Sequence, residues 1–138
     1  MAERSFPRSI DHIKDVYQFA EDLFEANDIS DDVRFPIHLA LEELFVNLVT
    51  YNTAGTKDIL IEIDAADGRV AVTMTDFEAD DFDVSRSRDV DIEASLAERK
   101  PGGLGLHLIQ HMVDTLEYDH RDRRSRIHFI RESRQDDV

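Results

Sequence analysis

Hydrophobic positions along the chain recur with two different periods, and the change of period separates predicted helices from predicted strands. Over residues 10–28 the apolar side chains are three or four residues apart, which predicts an amphipathic helix. The same spacing over residues 32–52 predicts a second helix, capped by Ser30 or Asp31, with Pro36 tolerated in its first turn. The apolar stripe of this second helix consists of Val33, Ile37, Leu41, Leu44 and Leu48.

Alternating apolar positions predict strands in the rest of the chain. Residues 57–76 are expected to form a hairpin, because two alternating runs flank an Asp67-Gly68 turn. Residues 116–120 and 127–131 predict a second hairpin, and a short edge strand is expected around residues 5–6. Helical and strand patterns thus both occur, without an internal repeat.

Length and composition restrict the class of protein. A chain of 138 residues is expected to form one domain, 1–138, with a substantial core. The absence of cysteine excludes disulfides and thiolate metal sites. No apolar run approaches membrane-spanning length and the start lacks a signal-peptide pattern, so a cytoplasmic protein without membrane contact is expected.

The net charge of −15 argues against non-specific nucleic-acid binding, which needs cations that neutralise phosphates. If the ligand is itself an anion, a divalent metal and local N–H donors have to offset the field of the protein.

A glycine-rich stretch at residues 100–109 overlaps the start of a predicted helix over 103–116. Gly102, Gly103 and Gly105 would let a ligand approach the backbone closely. The start of the helix leaves N–H groups without internal partners, which suits an anion such as phosphate. The alternative is a plain flexible loop with a glycine-assisted turn.

Glu43 and Asn47 are one turn apart on the second predicted helix. They lie between its apolar stripe and a second apolar group formed by Leu39 and Val46. Their oxygens are hard ligands suited to Mg²⁺, directly or through water, and a glutamate can accept a proton from an attacking hydroxyl. The alternative is that both side chains find ordinary backbone or water partners at the helix edge.

Asp76 ends the first predicted hairpin in phase with its core-facing residues. A carboxylate in that position could accept hydrogen bonds from an exocyclic amine such as that of adenine, or could turn back to its own loop. The charged segment 77–101 that follows is long enough to act as a lid over a ligand, the alternative being a solvated linker.

These elements together resemble the nucleotide-binding GHKL ATPase/kinase superfamily. The resemblance lies in Glu43-x-x-x-Asn47 on a helix, an aspartate ending a strand, a long loop, and Gly-Gly-Leu-Gly-Leu at 102–106. Residues 95–109, with the Ala-Leu-Glu-Glu-Leu-Phe-Val-Asn segment at 40–47, are similar to the anti-sigma-factor serine/threonine kinase subgroup. The similarity covers about residues 5–131.

The resemblance implies an α/β (α+β) two-layer sandwich, with a mixed or antiparallel sheet covered on one face by helices and ATP between the layers. It implies that Asn47 holds Mg²⁺, that Glu43 is the catalytic general base, and that Asp76 binds the adenine amine. The residues implied to face the phosphates, through backbone N–H groups and one lysine, are Gly102, Gly103, Leu104, Gly105, Leu106 and Lys100.

The resemblance also implies partners: a serine on an anti-anti-sigma (STAS-domain) protein as the substrate, often a sigma factor as the second partner, and a homodimer. We expect a protein-serine kinase that acts in a partner switch. The alternative is a regulator, nucleotide-binding or nucleotide-blind, that only sequesters its partner.

The chain departs from the family pattern after Asp76. The family usually has Asp-x-Gly, whereas Glu78 stands at the glycine position here. Aligning the chain on Phe82 instead would place Phe77 at the adenine aspartate and Ala79 at the glycine. We prefer Asp76, because the phase of its strand directs it towards the core.

Overall fold

The computed structural model describes residues 1–51, 56–78, 103–121 and 123–134. A single 3₁₀ turn, Ile10–His12, precedes the first helix. The helices are α1 (Ile13–Ala26), α2 (Asp31–Tyr51) and α3 (Gly103–Met112). The strands are β1 (Ala2–Phe6), β2 (Ile59–Ala66), β3 (Arg69–Asp76), β4 (Thr115–Arg121) and β5 (Arg124–Glu132). None of these helices has both the length and the apolar character needed to cross a bilayer.

The strands form one sheet in the order β1-β2-β3-β5-β4, and every described pair of neighbours is antiparallel. Val70, Val72 and Met74 of β3 are fully buried on one face, while Thr73 lies on the other face and is only half-buried. Helices α1 and α2 pack on the apolar face. The predicted sandwich is therefore confirmed, with an antiparallel sheet.

The β2–β3 hairpin has the predicted two-residue turn. Asp67 and Gly68 both have positive φ, 55° and 74°, as the mirror-image turn that matches the twist of paired strands requires. The backbone N–H of Ser133 donates to the Gly68 carbonyl at 2.8 Å, which ties the turn to the chain after β5.

Helix α2 begins at Asp31, so Pro36 lies in the second turn and its predicted place in the first turn was wrong. The missing N–H of Pro36 would have bonded to the carbonyl of Asp32, four residues earlier. That carbonyl instead accepts a hydrogen bond from Arg131 Nε at 3.1 Å. The structure thus tolerates the proline because a buried side chain replaces the lost donor.

Helix α3 ends at Met112, four residues before its predicted end. The N–H of Asp114 donates to the Ile130 carbonyl at 2.7 Å, and the chain then enters β4. On this helix Ile109 is buried in the core, whereas its neighbour Leu108 is 48% exposed. Leu116 belongs to β4, where it still packs against the core.

Candidate functional site

Glu43 and Asn47 lie one turn apart on α2, as predicted. Asn47 is only 7% exposed and Glu43 is half-buried. Within the described part of the chain, neither side chain makes a hydrogen bond or ion pair. Burial raises the pKa of Glu43 above its ordinary value, and the negative charge of Glu42 adds to this effect. The pair offers hard oxygen atoms and a carboxylate of increased basicity.

Asp76 ends β3 on the helix-covered face and is 2% exposed, so the predicted phase is confirmed. Its carboxylate forms a bidentate ion pair with Arg8. Arg8 Nη2 is 2.5 Å from Asp76 Oδ1 and Nη1 is 3.1 Å from Oδ2, with both side chains 3% exposed. The carboxylate predicted to face adenine therefore has a partner from the same chain.

The same guanidinium joins the end of β3 to helix α2. Arg8 Nη1 also lies 3.4 Å from the backbone carbonyl of Leu48, the residue after Asn47. Because Arg8 contacts both elements, Asp76 lies beside the turn of α2 that carries Asn47. The structure thus brings two of the predicted site residues into one region.

The chain after Asp76 turns back on itself. The N–H of Glu78 donates to Asp76 Oδ1 at 2.9 Å, which is the local loop contact considered above as the alternative role of this aspartate. The Glu78 carboxylate accepts hydrogen bonds from the backbone N–H groups of Lys57 and Thr56, and these hold its pKa below the ordinary value. Beyond Glu78, the predicted lid lies outside the described residues.

The glycine stretch is only partly described. Gly103 is the first residue of α3, and Leu104, Gly105 and Leu106 follow within its first turns, so the predicted helix start is confirmed. Helix α3 packs against α2. Lys100 and Gly102 lie outside the described residues, and their predicted roles stay predictions.

Ser125 of β5 lies next to Asp76, and no sequence pattern had indicated it as a site residue. The two residues are register partners across β3 and β5, and Ser125 is 2% exposed. Its hydroxyl accepts a hydrogen bond from the Tyr118 hydroxyl at 3.1 Å. In the sequence nothing distinguishes a buried serine on a strand from any other core serine. That Ser125 neighbours Asp76 follows only from the register of the sheet.

The two ends of the site fit a magnesium nucleotide differently. The carboxamide of Asn47 and the carboxylate of Glu43 fit a Mg²⁺-bound phosphate, since hard oxygens are the ligands that this ion prefers. In the described residues, no group of three or more histidine, aspartate or glutamate side chains forms a metal site of its own. The metal would therefore depend on phosphate oxygens and water as well. At the other end, the Asp76 carboxylate is already in an ion pair with Arg8.

The antiparallel sheet covered by helices on one face is an α+β two-layer sandwich, with Glu43 and Asn47 on its second helix. Residues 6–131 match the sequence profile of the histidine kinase-like ATPase domain, and the chain belongs to this family, as the GHKL resemblance implied. No protein with a curated description matches the sequence.

Among solved structures, the chain resembles one chain of the crystal structure of the SiaB–SiaC complex from Pseudomonas aeruginosa. The TM-score is 0.68 at 15% sequence identity, over 94% of this chain and 88% of that chain. At this identity the similarity establishes the fold.

Proposed function

We propose that this protein is an ATP-dependent protein-serine/threonine kinase of the partner-switch type. Its substrate would be a serine on an anti-anti-sigma (STAS-domain) protein, and its second partner a sigma factor or another regulator that it sequesters. The observation that carries the proposal is the pairing of Glu43 and Asn47 on α2, within a family of kinase-like ATPase domains.

The chemistry assigned to these residues follows from their surroundings. ATP with Mg²⁺ would supply the phosphoryl group and part of the charge neutralisation. Asn47 would hold the metal through its carboxamide oxygen, which has no hydrogen-bond partner in the described part of the chain. Glu43 would accept the proton of the serine hydroxyl, and its raised pKa makes it a stronger base than an ordinary glutamate. Both residues would be positioned by α2, whose apolar side chains are packed in the hydrophobic core.

The proposal of a protein partner has separate support. The similar solved structure is a complex of two proteins, so this fold is compatible with a partner bound to it. The family resemblance supports a homodimer as the unit that meets the partner.

Calorimetric titration with ATP, with and without Mg²⁺, tests the proposal on the wild type and on Asn47→Ala. We expect metal-dependent binding that Asn47→Ala abolishes and that Glu42→Gln, a change at the adjacent exposed carboxylate, leaves intact. Phosphate transfer to a serine-bearing STAS protein should then fall at least about a hundredfold in Glu43→Gln, the loss expected without a general base. A folded wild type that binds no ATP would overturn the kinase proposal.

A second candidate function is sequestration of a partner without phosphorylation, and the Arg8–Asp76 ion pair favours it. A carboxylate held by an arginine is poorly placed to bind an adenine amine, and loss of nucleotide binding would leave only partner binding. The two candidates differ in one measurement. If the protein only sequesters its partner, the wild type and Asn47→Ala would bind the STAS or sigma partner equally well. Neither of them would transfer phosphate.

A further inference from the structure

We propose that Arg8 sets the base specificity of the nucleotide site. By holding Asp76, it prevents this carboxylate from selecting the amino group of adenine. The inference rests on the proposed function in one respect, namely that a purine would lie beside Asp76, between β3 and α2.

The Asp76 carboxylate is held by strong contacts from its own chain. Two N–H groups of Arg8 reach the two oxygens of Asp76, and Glu78 donates a further hydrogen bond to Oδ1. Bidentate pairs between a guanidinium and a carboxylate are stronger than hydrogen bonds to a neutral amine, especially where both groups are buried. These three hydrogen bonds take three of the roughly four acceptor sites of the carboxylate, so an adenine amine is left with one site on Oδ2 or has to compete with a better donor.

The hydrogen-bond donors around Asp76 do not match the amino group of adenine. A guanidinium offers only donors, and Arg8 Nε is buried without a hydrogen-bond partner in the described part of the chain. The 6-amino group of adenine is also a donor, so it would meet donors near Asp76. A 6-keto group, as in inosine, offers an acceptor instead. With Arg8 in place, the site should not prefer the amino base over the keto base.

Titration of the wild type with Mg²⁺-ATP and Mg²⁺-ITP tests this directly, because the two nucleotides differ only at the base. We expect ITP to bind at least as tightly as ATP. A preference of the wild type for ATP by about tenfold or more, the effect of one good hydrogen bond, would overturn the proposal.

Substitution of Arg8 supplies the second measurement. In Arg8→Met the Asp76 carboxylate is released, and we expect the ratio of ATP affinity to ITP affinity to rise about tenfold. The matched control is Arg69→Met, at the other end of β3, where an exposed arginine lies 3.6 Å from Glu132. This control should leave the ratio unchanged, and a purely structural role of Arg8 would not change the ratio either.

Arg8→Lys covers the case in which Arg8→Met fails to fold with a buried, unpaired Asp76. A lysine keeps the positive charge but cannot make the bidentate contact. We expect a smaller shift of the same ratio towards ATP. A folded Arg8→Lys protein with the wild-type ratio would overturn the proposal.

The outcomes also separate this inference from the proposed function. If both triphosphates bind with a ratio that no Arg8 variant changes, the role of Arg8 is overturned and the kinase proposal stands. If neither triphosphate binds to the folded wild type or to any folded Arg8 variant, both are overturned.

Discussion

Arg131 Nε donates a hydrogen bond to the backbone carbonyl of Asp32 at 3.1 Å. This carbonyl lacks its usual helical donor, because Pro36, four residues later, has no N–H. The same guanidinium donates from Nη1 to the carbonyl of Met112, the last residue of α3, at 2.6 Å. One buried side chain from β5 thus satisfies two helices at points where their own hydrogen bonding is incomplete. Its contact with Asp32 lies at the start of α2, the helix that carries Glu43 and Asn47.

Arg131→Met is expected to lower the free energy of unfolding by about 2–4 kcal/mol, because it leaves two partly buried carbonyl groups without their donor. Urea denaturation followed by circular dichroism measures the loss. The control is Arg126→Met, an exposed arginine on the same strand, which should change stability by less than about 0.5 kcal/mol. Equal stability of the two variants would contradict this role of Arg131.

Glu43→Gln is expected to stabilise the protein at neutral pH by less than about 1 kcal/mol, since the side chain keeps partial contact with water. Its folded pKa is raised, so the folded state loses stability as pH rises through that pKa and recovers it below the ordinary value of 4.5. The difference between variant and wild type should therefore vanish at pH below about 4.5. Thermal unfolding from pH 4 to pH 8 measures it, and a difference that does not change with pH would contradict the assignment.

Asp114→Asn is expected to destabilise the protein at neutral pH by about 1 kcal/mol. It should also make the loss of stability between neutral and acid pH smaller than in the wild type. Burial raises the pKa of Asp114, but the Arg134 side chain, the Glu132 N–H and nearby positive charges outweigh it and hold the pKa below 3.8. The stabilisation is present above pH 3.8 and lost as pH falls through the lower, folded-state pKa. Unfolding between pH 2 and pH 7 tests this, with the exposed Glu117→Gln on β4 as the control.

Gly68→Ala is expected to cost about 1–2 kcal/mol, because an alanine at a φ of 74° is strained in the left-handed region. A Cβ at this position would meet the Ser133 Cβ at 3.4 Å, an ordinary contact, so the cost comes from the backbone. Asp67→Asn is the control, since asparagine also tolerates positive φ and should change stability little. Urea denaturation of both variants measures the difference.

The sequence patterns predicted most of the sheet, because a strand with one buried face has to alternate. In β2, Ile59, Ile61 and Ile63 are buried and the intervening residues are not, and the Asp67–Gly68 turn fixes the register with β3. Asp76 could be placed on the core face by the same alternation. Helical spacing was sufficient to predict that Glu43 and Asn47 lie one turn apart on the same helix.

Other features depend on contacts that local patterns do not contain. The predicted end of α3 was wrong because Val113 and Leu116 continue a helical spacing, although the Asp114 N–H is taken by Ile130 of β5. Arg8 follows a proline in a short polar segment, and nothing near it in sequence indicates a partner. Its role appears only when the fold brings β3 beside it.

The partners of the Arg8–Asp76 ion pair are 68 residues apart in the sequence, and the loop that the pair closes contains both long helices and the first hairpin. Closing such a long loop costs chain entropy, so we expect this contact to form late in folding. We expect substitutions at Arg8 to accelerate unfolding and to leave the refolding rate nearly unchanged, with a φ-value close to zero in stopped-flow chevrons. The Arg8–Asp76 ion pair would then control how long the folded protein persists rather than how quickly it forms.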